Sequence, residues 1–173
     1  MARSRLLHRS VSGLTLAMAV ALVGLVVASC TENPVGRKCD LGVENPGGNE
    51  AVVGSPSLDC STRQCLKVPI DTGKDTPDGF QPLTANTGMC TASCDADEDC
   101  DKVSESPCVT GFTCGIPLVV GPFCCRKMCI CKDYVILPDS GKLPEPMACK
   151  SDIVANACCN LDGRVGNYPN CPG

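Results

Sequence analysis

Seventeen cysteines in 173 residues constrain this chain more than anything else it contains. A reducing cytosol would leave so many thiols unpaired, so the pattern belongs to a secreted or envelope protein held by disulfides. The rest of the composition agrees: there is no Trp, and only 3 Phe and 2 Tyr. Once the first 29 residues are set aside as a removable leader, Leu, Ile, Val and Phe fill 28 of 144 positions. That is just under the roughly one fifth below which a charged chain stays unfolded. Bridges must supply what apolar burial cannot, at roughly 2 to 4 kcal/mol each, chiefly by restricting the unfolded chain. The expected fold is small, disulfide-rich and irregular, with short β-strands.

The leader has a basic start (Arg3, Arg5, Arg9) and an uncharged apolar stretch from Leu14 to Ala28, the arrangement of a cleaved secretory signal helix. The stretch is shorter than the roughly 17 to 25 residues of a spanning helix, the competing reading being an uncleaved, tilted anchor. It ends in Val27, Ala28, Ser29, Cys30, which resembles the bacterial lipobox. That resemblance implies cleavage between Ser29 and Cys30, a diacylglycerol on the Cys30 sulfur and a further acyl chain on its amine. The alternative is a plain secretory signal with Cys30 as an ordinary bridge cysteine. Parity favours the lipid, because removing Cys30 from 17 leaves 16 cysteines, which pair completely. Three acyl chains, each burying on the order of ten methylenes at about 0.8 kcal/mol apiece, exceed what stable anchoring requires. Thr31 in place of Asp points, by resemblance to enterobacterial sorting, to the outer membrane, on its periplasmic face or at the cell surface.

The mature chain carries 12 Lys and Arg against 19 Asp and Glu, a net −7, which argues against nucleic acid as a partner. Residues 30–38 read as a lipidated polar tether, 39–135 as the disulfide-rich core and 136–173 as a cysteine-containing extension packed on it. Turn clusters at Asn45–Gly48, Pro77–Gly79 and Asn160–Gly163 separate short apolar runs such as Ala51–Val53 and Leu66–Ile70. The 14 Pro and 15 Gly of this part resist long regular elements. One short C-terminal helix is expected after Pro146, with Glu145 near its positive end and Cys149, Ile153 and Ala157 along one face.

The sixteen cysteines fall into a sparse set (Cys39, Cys60, Cys65), a dense set of nine from Cys90 to Cys131, and a terminal set (Cys149, Cys158, Cys159, Cys171). Nine is odd, so at least one bridge must leave the dense set. The neighbours Cys124 and Cys125, and likewise Cys158 and Cys159, are expected to reach different partners, since a trans peptide points adjacent side chains apart. The pairing itself is not fixed by sequence.

Enzyme chemistry finds little here. The only His is His8, in the leader, so no imidazole remains to serve a nucleophile. Cys60 and Cys65 stand too far apart for a CxxC redox pair. The cluster Cys124, Cys125, Cys129, Cys131 would bind zinc only as reduced thiolates. Asp95, Asp97, Asp99 and Asp101 open like a calcium loop, but its sixth and twelfth positions hold Cys100 and Ser106 where Gly and Glu are needed, so a solvated acidic turn is the default. No cofactor and no small-molecule substrate are expected. The run from Gly121 to Tyr134 offers a candidate recognition surface of Phe123, Arg126, Lys127, Met128, Lys132 and Tyr134 for an envelope protein partner. In the plainer alternative its apolar residues are local core.

The spacing from Cys94 to Cys131 loosely resembles four-disulfide-core and dickkopf-type modules. A broader likeness rests on the lipobox to Cys30, on Lys38–Gly42, on the hexapeptide Cys60–Cys65 and on Gly121–Tyr134. In these the chain resembles the cysteine-rich outer-membrane lipoproteins of myxobacteria, among them the contact-stimulated lipoproteins of adventurous gliding. The resemblance implies a non-enzymatic adaptor or structural component in gliding motility or cell-surface contact. The rival expectation is a tethered protease-inhibitor-like or ligand-binding module, for which Ile116–Gly121 is the apolar loop.

Overall fold

Every described strand is three or four residues long, and each begins or ends close to a bridge. The structure is a computed structural model that describes residues 35–43, 46–150, 157–160, 162–166 and 171. The leader, Ser29 and Cys30 lie outside the described residues, as does Ile153.

Four antiparallel strands form the first sheet: β1 (Lys38–Asp40), β2 (Val52–Gly54), β3 (Cys65–Lys67) and β4 (Thr87–Cys90), in the order β1-β4-β3-β2. The Cys39–Cys65 bridge joins β1 to β3 across β4, and Cys60–Cys90 closes the end of β4. Gly88 lies under the first of these bridges. A Cβ there would stand 2.7 Å from the Leu66 carbonyl oxygen and 2.8 Å from the Cys65 sulfur. Strands β5 (Phe112–Gly115) and β6 (Met128–Cys131) form a second, antiparallel pair with Phe112 opposite Cys131. Period-two alternation puts Cys129 and Cys131 on one face of β6, where they bridge to Cys100 and Cys108. Cys94–Cys114 ties β5 to the chain that precedes it.

The main core lies between the sheets. Val35, Leu66, Met89 and Ala92 meet Phe112, Ile130, Tyr134 and Val135 there. Buried Thr91 stitches the sheets by donating its hydroxyl to the Cys129 carbonyl at 2.8 Å. A smaller cluster surrounds Cys39, Cys60, Cys65 and Cys90, and a third surrounds Cys124, Cys125, Cys149 and Cys158.

All sixteen cysteines beyond Cys30 are paired, and the remaining bridges are Cys124–Cys158, Cys125–Cys149 and Cys159–Cys171. Both adjacent pairs split to different partners. Three bridges leave the dense set, by way of Cys90, Cys124 and Cys125.

Two expectations need correction. The tether expected through Lys38 already belongs to the core at Val35, which is fully buried, donates its amide to the Asp101 carbonyl at 3.0 Å and is followed by β1. The C-terminal helix is not formed as expected: Met147–Cys149 is a single 3-10 turn that ends at Lys150, whose backbone is extended. Ala157 falls in a separate 3-10 turn, Ala157–Asn160. No α-helix occurs among the described residues, and none of them forms a helix long and apolar enough to cross a membrane.

Candidate functional site

The run from Gly121 to Tyr134 does not present one face. Met128 and Ile130 are buried in β6, because β5 flanks one edge of that strand and the Ala92–Cys94 segment flanks the other. Tyr134 is also core: its ring meets Phe80 edge-on at 5.2 Å, and its hydroxyl oxygen accepts the Leu83 amide at 3.3 Å. Burial, with the negative charge of Asp133 adding to it, raises the Tyr134 pKa against the opposing Leu83 bond. Of the six residues expected to form a recognition surface, Met128 and Tyr134 are therefore packing residues. Lys132 is engaged too, its Nζ 3.6 Å from the Asp97 carboxylate. Phe123, Arg126 and Lys127 remain at the surface, with the Arg126 guanidinium 5.7 Å from the Phe123 ring centroid, a cation–π distance.

The acidic turn is a structural staple. Ala96 caps a 3-10 turn, Asp97–Asp99, and Asp99 Oδ2 accepts the amides of Asp95 and Ala96 at 2.8 and 3.0 Å. Those two bonds hold the Asp99 carboxyl below its ordinary value. Asp97 Oδ1 accepts the Cys114 amide at 2.8 Å and the Thr113 hydroxyl at 3.0 Å. Burial pushes the Asp97 pKa up, but the Cys114 and Thr113 bonds together with Lys132 outweigh it, and the net shift is downward. Two of the four carboxylates that open like a calcium loop thus serve protein donors, while Asp95 and Asp101 lie exposed. Among the described residues, the groups of three ligand atoms within 4.8 Å of one another are built on bridged cysteines, with Asp133 joining Cys108 and Cys131 in one. Sulfur in a disulfide is not a thiolate ligand.

Beside the acidic turn runs an open cleft of about 210 Å³, bounded by Asp95–Asp97, Cys114–Ile116, Lys127 and Lys142–Glu145. Its wall mixes carboxylates and ammonium groups, and no nucleophile with an adjacent base lines it. The small void beneath the sheets, about 10 Å³ between Leu66, Met89, Phe112 and Tyr134, is a packing gap.

Sequence reasoning passed over Asp133. It is fully buried, and it accepts the amides of Val109 and Thr110 and the Thr110 hydroxyl. Nothing local marks it, because its donors lie 23 and 24 residues upstream.

No family model matches the chain, and comparison with curated proteins and with solved structures returns no match.

Proposed function

We propose that the protein is a lipid-anchored envelope lipoprotein of the outer membrane, a non-enzymatic adaptor or structural component acting in gliding motility or cell-surface contact. The observation that carries this reading is the complete pairing of the sixteen cysteines from Cys39 to Cys171. It leaves Cys30, at the end of the lipobox, with no cysteine to pair with. A thiol at that position suits acylation. The anchor accounts for membrane attachment, and the stapled domain supplies a rigid body for an envelope partner, since rigidity lowers the entropy lost on binding. Phe123, Arg126 and Lys127 are its contact residues. Gliding motility comes from the family resemblance.

Intact mass of detergent-extracted protein, with and without reductant, tests the anchor. Acylated material starts at Cys30, carries the added mass of three acyl chains and gains sixteen hydrogens on reduction, two for each of the eight bridges. A mass that retains the leader removes the anchor. Deletion of the gene tests the role: loss of single-cell gliding with normal growth supports it, and undiminished gliding removes it.

A further inference from the structure

From Ile116 to Phe123 the chain runs Ile-Pro-Leu-Val-Val-Gly-Pro-Phe, eight residues without one polar side chain. This is a surface loop. Val119 and Val120 form its exposed apolar tip, Val120 to 60%, while Ile116, Leu118 and Phe123 are half-buried beneath it. The loop is also held in shape. Ile116 packs on the cluster of Cys124, Cys125, Cys149 and Cys158, the Cys125 amide donates to the Leu118 carbonyl at 2.8 Å, and the Cys124 amide donates to Gly121 at 3.1 Å. The same bridges bring up Met147, itself 65% exposed, two residues before Cys149.

The charge around this loop departs from that of the molecule. No Asp or Glu occurs from Ser106 to Lys132, in a chain whose mature charge is −7. Exposed Arg126 and Lys127 follow the loop, and exposed Lys150 follows Cys149. Glu145 and Asp162 lie in the flanking segments, and Asp95 and Asp97 share the cleft with Ile116 and Lys127 at the base of the loop. An apolar tip beside basic side chains matches the layered chemistry of an anionic bilayer surface, acyl chains below phosphates.

We propose that this loop is a membrane-docking tip that seats Val119 and Val120 among the acyl chains of an anionic lipid surface, with Arg126, Lys127 and Lys150 at the level of the phosphates. The contact is independent of acylation at Cys30. It would lay the domain against a bilayer in one orientation, whichever bilayer the chain meets.

The absence of Trp gives a clean test. Full-length Val120→Trp and Leu58→Trp each place one indole at an exposed site, Leu58 being 84% exposed and outside the loop. Intact mass first verifies eight bridges in both. Each protein is then mixed with phosphatidylglycerol vesicles bearing brominated acyl chains, and with phosphatidylcholine vesicles bearing the same chains. The expected result is a blue shift and several-fold stronger quenching for Val120→Trp than for Leu58→Trp on the anionic vesicles. Adding Arg126→Glu and Lys127→Glu should reduce that quenching several-fold. Equal quenching at the two sites overturns the proposal, as does an indole at position 120 that stays in water. The latter is the outcome expected if the loop instead binds a protein.

Discussion

Asp133→Asn is the sharpest probe of how a core this small tolerates a buried charge. The Asp133 carboxylate is fully buried, and Oδ1 receives the Thr110 amide at 3.0 Å and the Thr110 hydroxyl while Oδ2 receives the Val109 amide. Hydrogen bonds to a charged acceptor contribute roughly 1.5 to 3 kcal/mol each, and they do not add fully. Asn keeps one acceptor oxygen but turns an NH2 group toward a donor, so one amide faces another and loses its partner. Asp133→Ala leaves both amides to water, which reaches them because Val109 and Thr110 are exposed. A cost of about 2 to 4 kcal/mol follows for either substitution. The bridges at Cys108–Cys131 and Cys100–Cys129 keep the chain in place, so the loss should appear as local opening rather than global unfolding. Amide hydrogen exchange reads it directly: protection at Val109 and Thr110 should fall about 30- to 700-fold, at tenfold per 1.4 kcal/mol. Unchanged protection at both amides in Asp133→Asn would refute the reasoning.

Asp97 makes stability depend on acid. Its folded pKa is below the ordinary 3.8, so its contribution is complete above that value and is lost as pH falls through the lowered one. Melting curves recorded on acidification should show the native chain losing more stability than Asp97→Asn, whose side chain does not titrate; parallel losses would contradict this. Gly88→Ala drives a Cβ to 2.7 Å from the Leu66 carbonyl oxygen, against backbone that cannot step aside. Overpacking of that kind costs about 1 to 3 kcal/mol. Denaturant titration should show the loss, with the yield of correctly bridged protein falling alongside.

Cysteine count and local sterics carried much of the architecture. Parity anticipated sixteen paired sulfurs, and the splitting of Cys124 from Cys125 and of Cys158 from Cys159 follows from the trans peptide between each pair. Apolar runs between turns mark β2 to within one residue and β3 to within three. The spacing of Cys149, Ile153 and Ala157 mimics a helical period after Pro146 without an α-helix among the described residues there. Cys149 stands where it does because it must reach Cys125, and Lys150 leaves the 3-10 turn in extended conformation. Met128 and Tyr134 leave two readings open in the sequence, surface and local core, because they sit among basic residues. Met128 is enclosed where β6 meets β5 and the Ala92–Cys94 segment, and Tyr134 packs on Phe80 beside Leu83, partners that lie far away in sequence. The engagement of Lys132 by Asp97, 35 residues upstream, was equally out of reach.

Counting Cys90 with the dense set was also a matter of sequence proximity, and the bridges assign it otherwise. Cys39–Cys65 and Cys60–Cys90 interlock and end at residue 90. The next bridge begins at Cys94, and no bridge spans the step from Cys90 to Cys94. Covalently, then, one short backbone segment joins a first stapled module to a second that runs from Cys94 to Cys158, with Cys159–Cys171 a separate terminal loop, and moving Cys90 to the first module leaves eight cysteines in the dense set. What unites them is apolar contact: Leu66 and Met89 from the first module meet Phe112 and Tyr134 from the second around a void of only about 10 Å³. Phe112→Ala should therefore cost about 3 to 5 kcal/mol at that junction and leave every bridge intact. The mass before and after reduction stays that of eight bridges, while exchange protection at Val103 and Cys129, whose amides donate to the Val35 and Ala92 carbonyls at 3.0 Å each, collapses. Retained protection at those amides would mean that the junction does not depend on Phe112; loss of correct pairing would mean that the apolar junction guides oxidation itself.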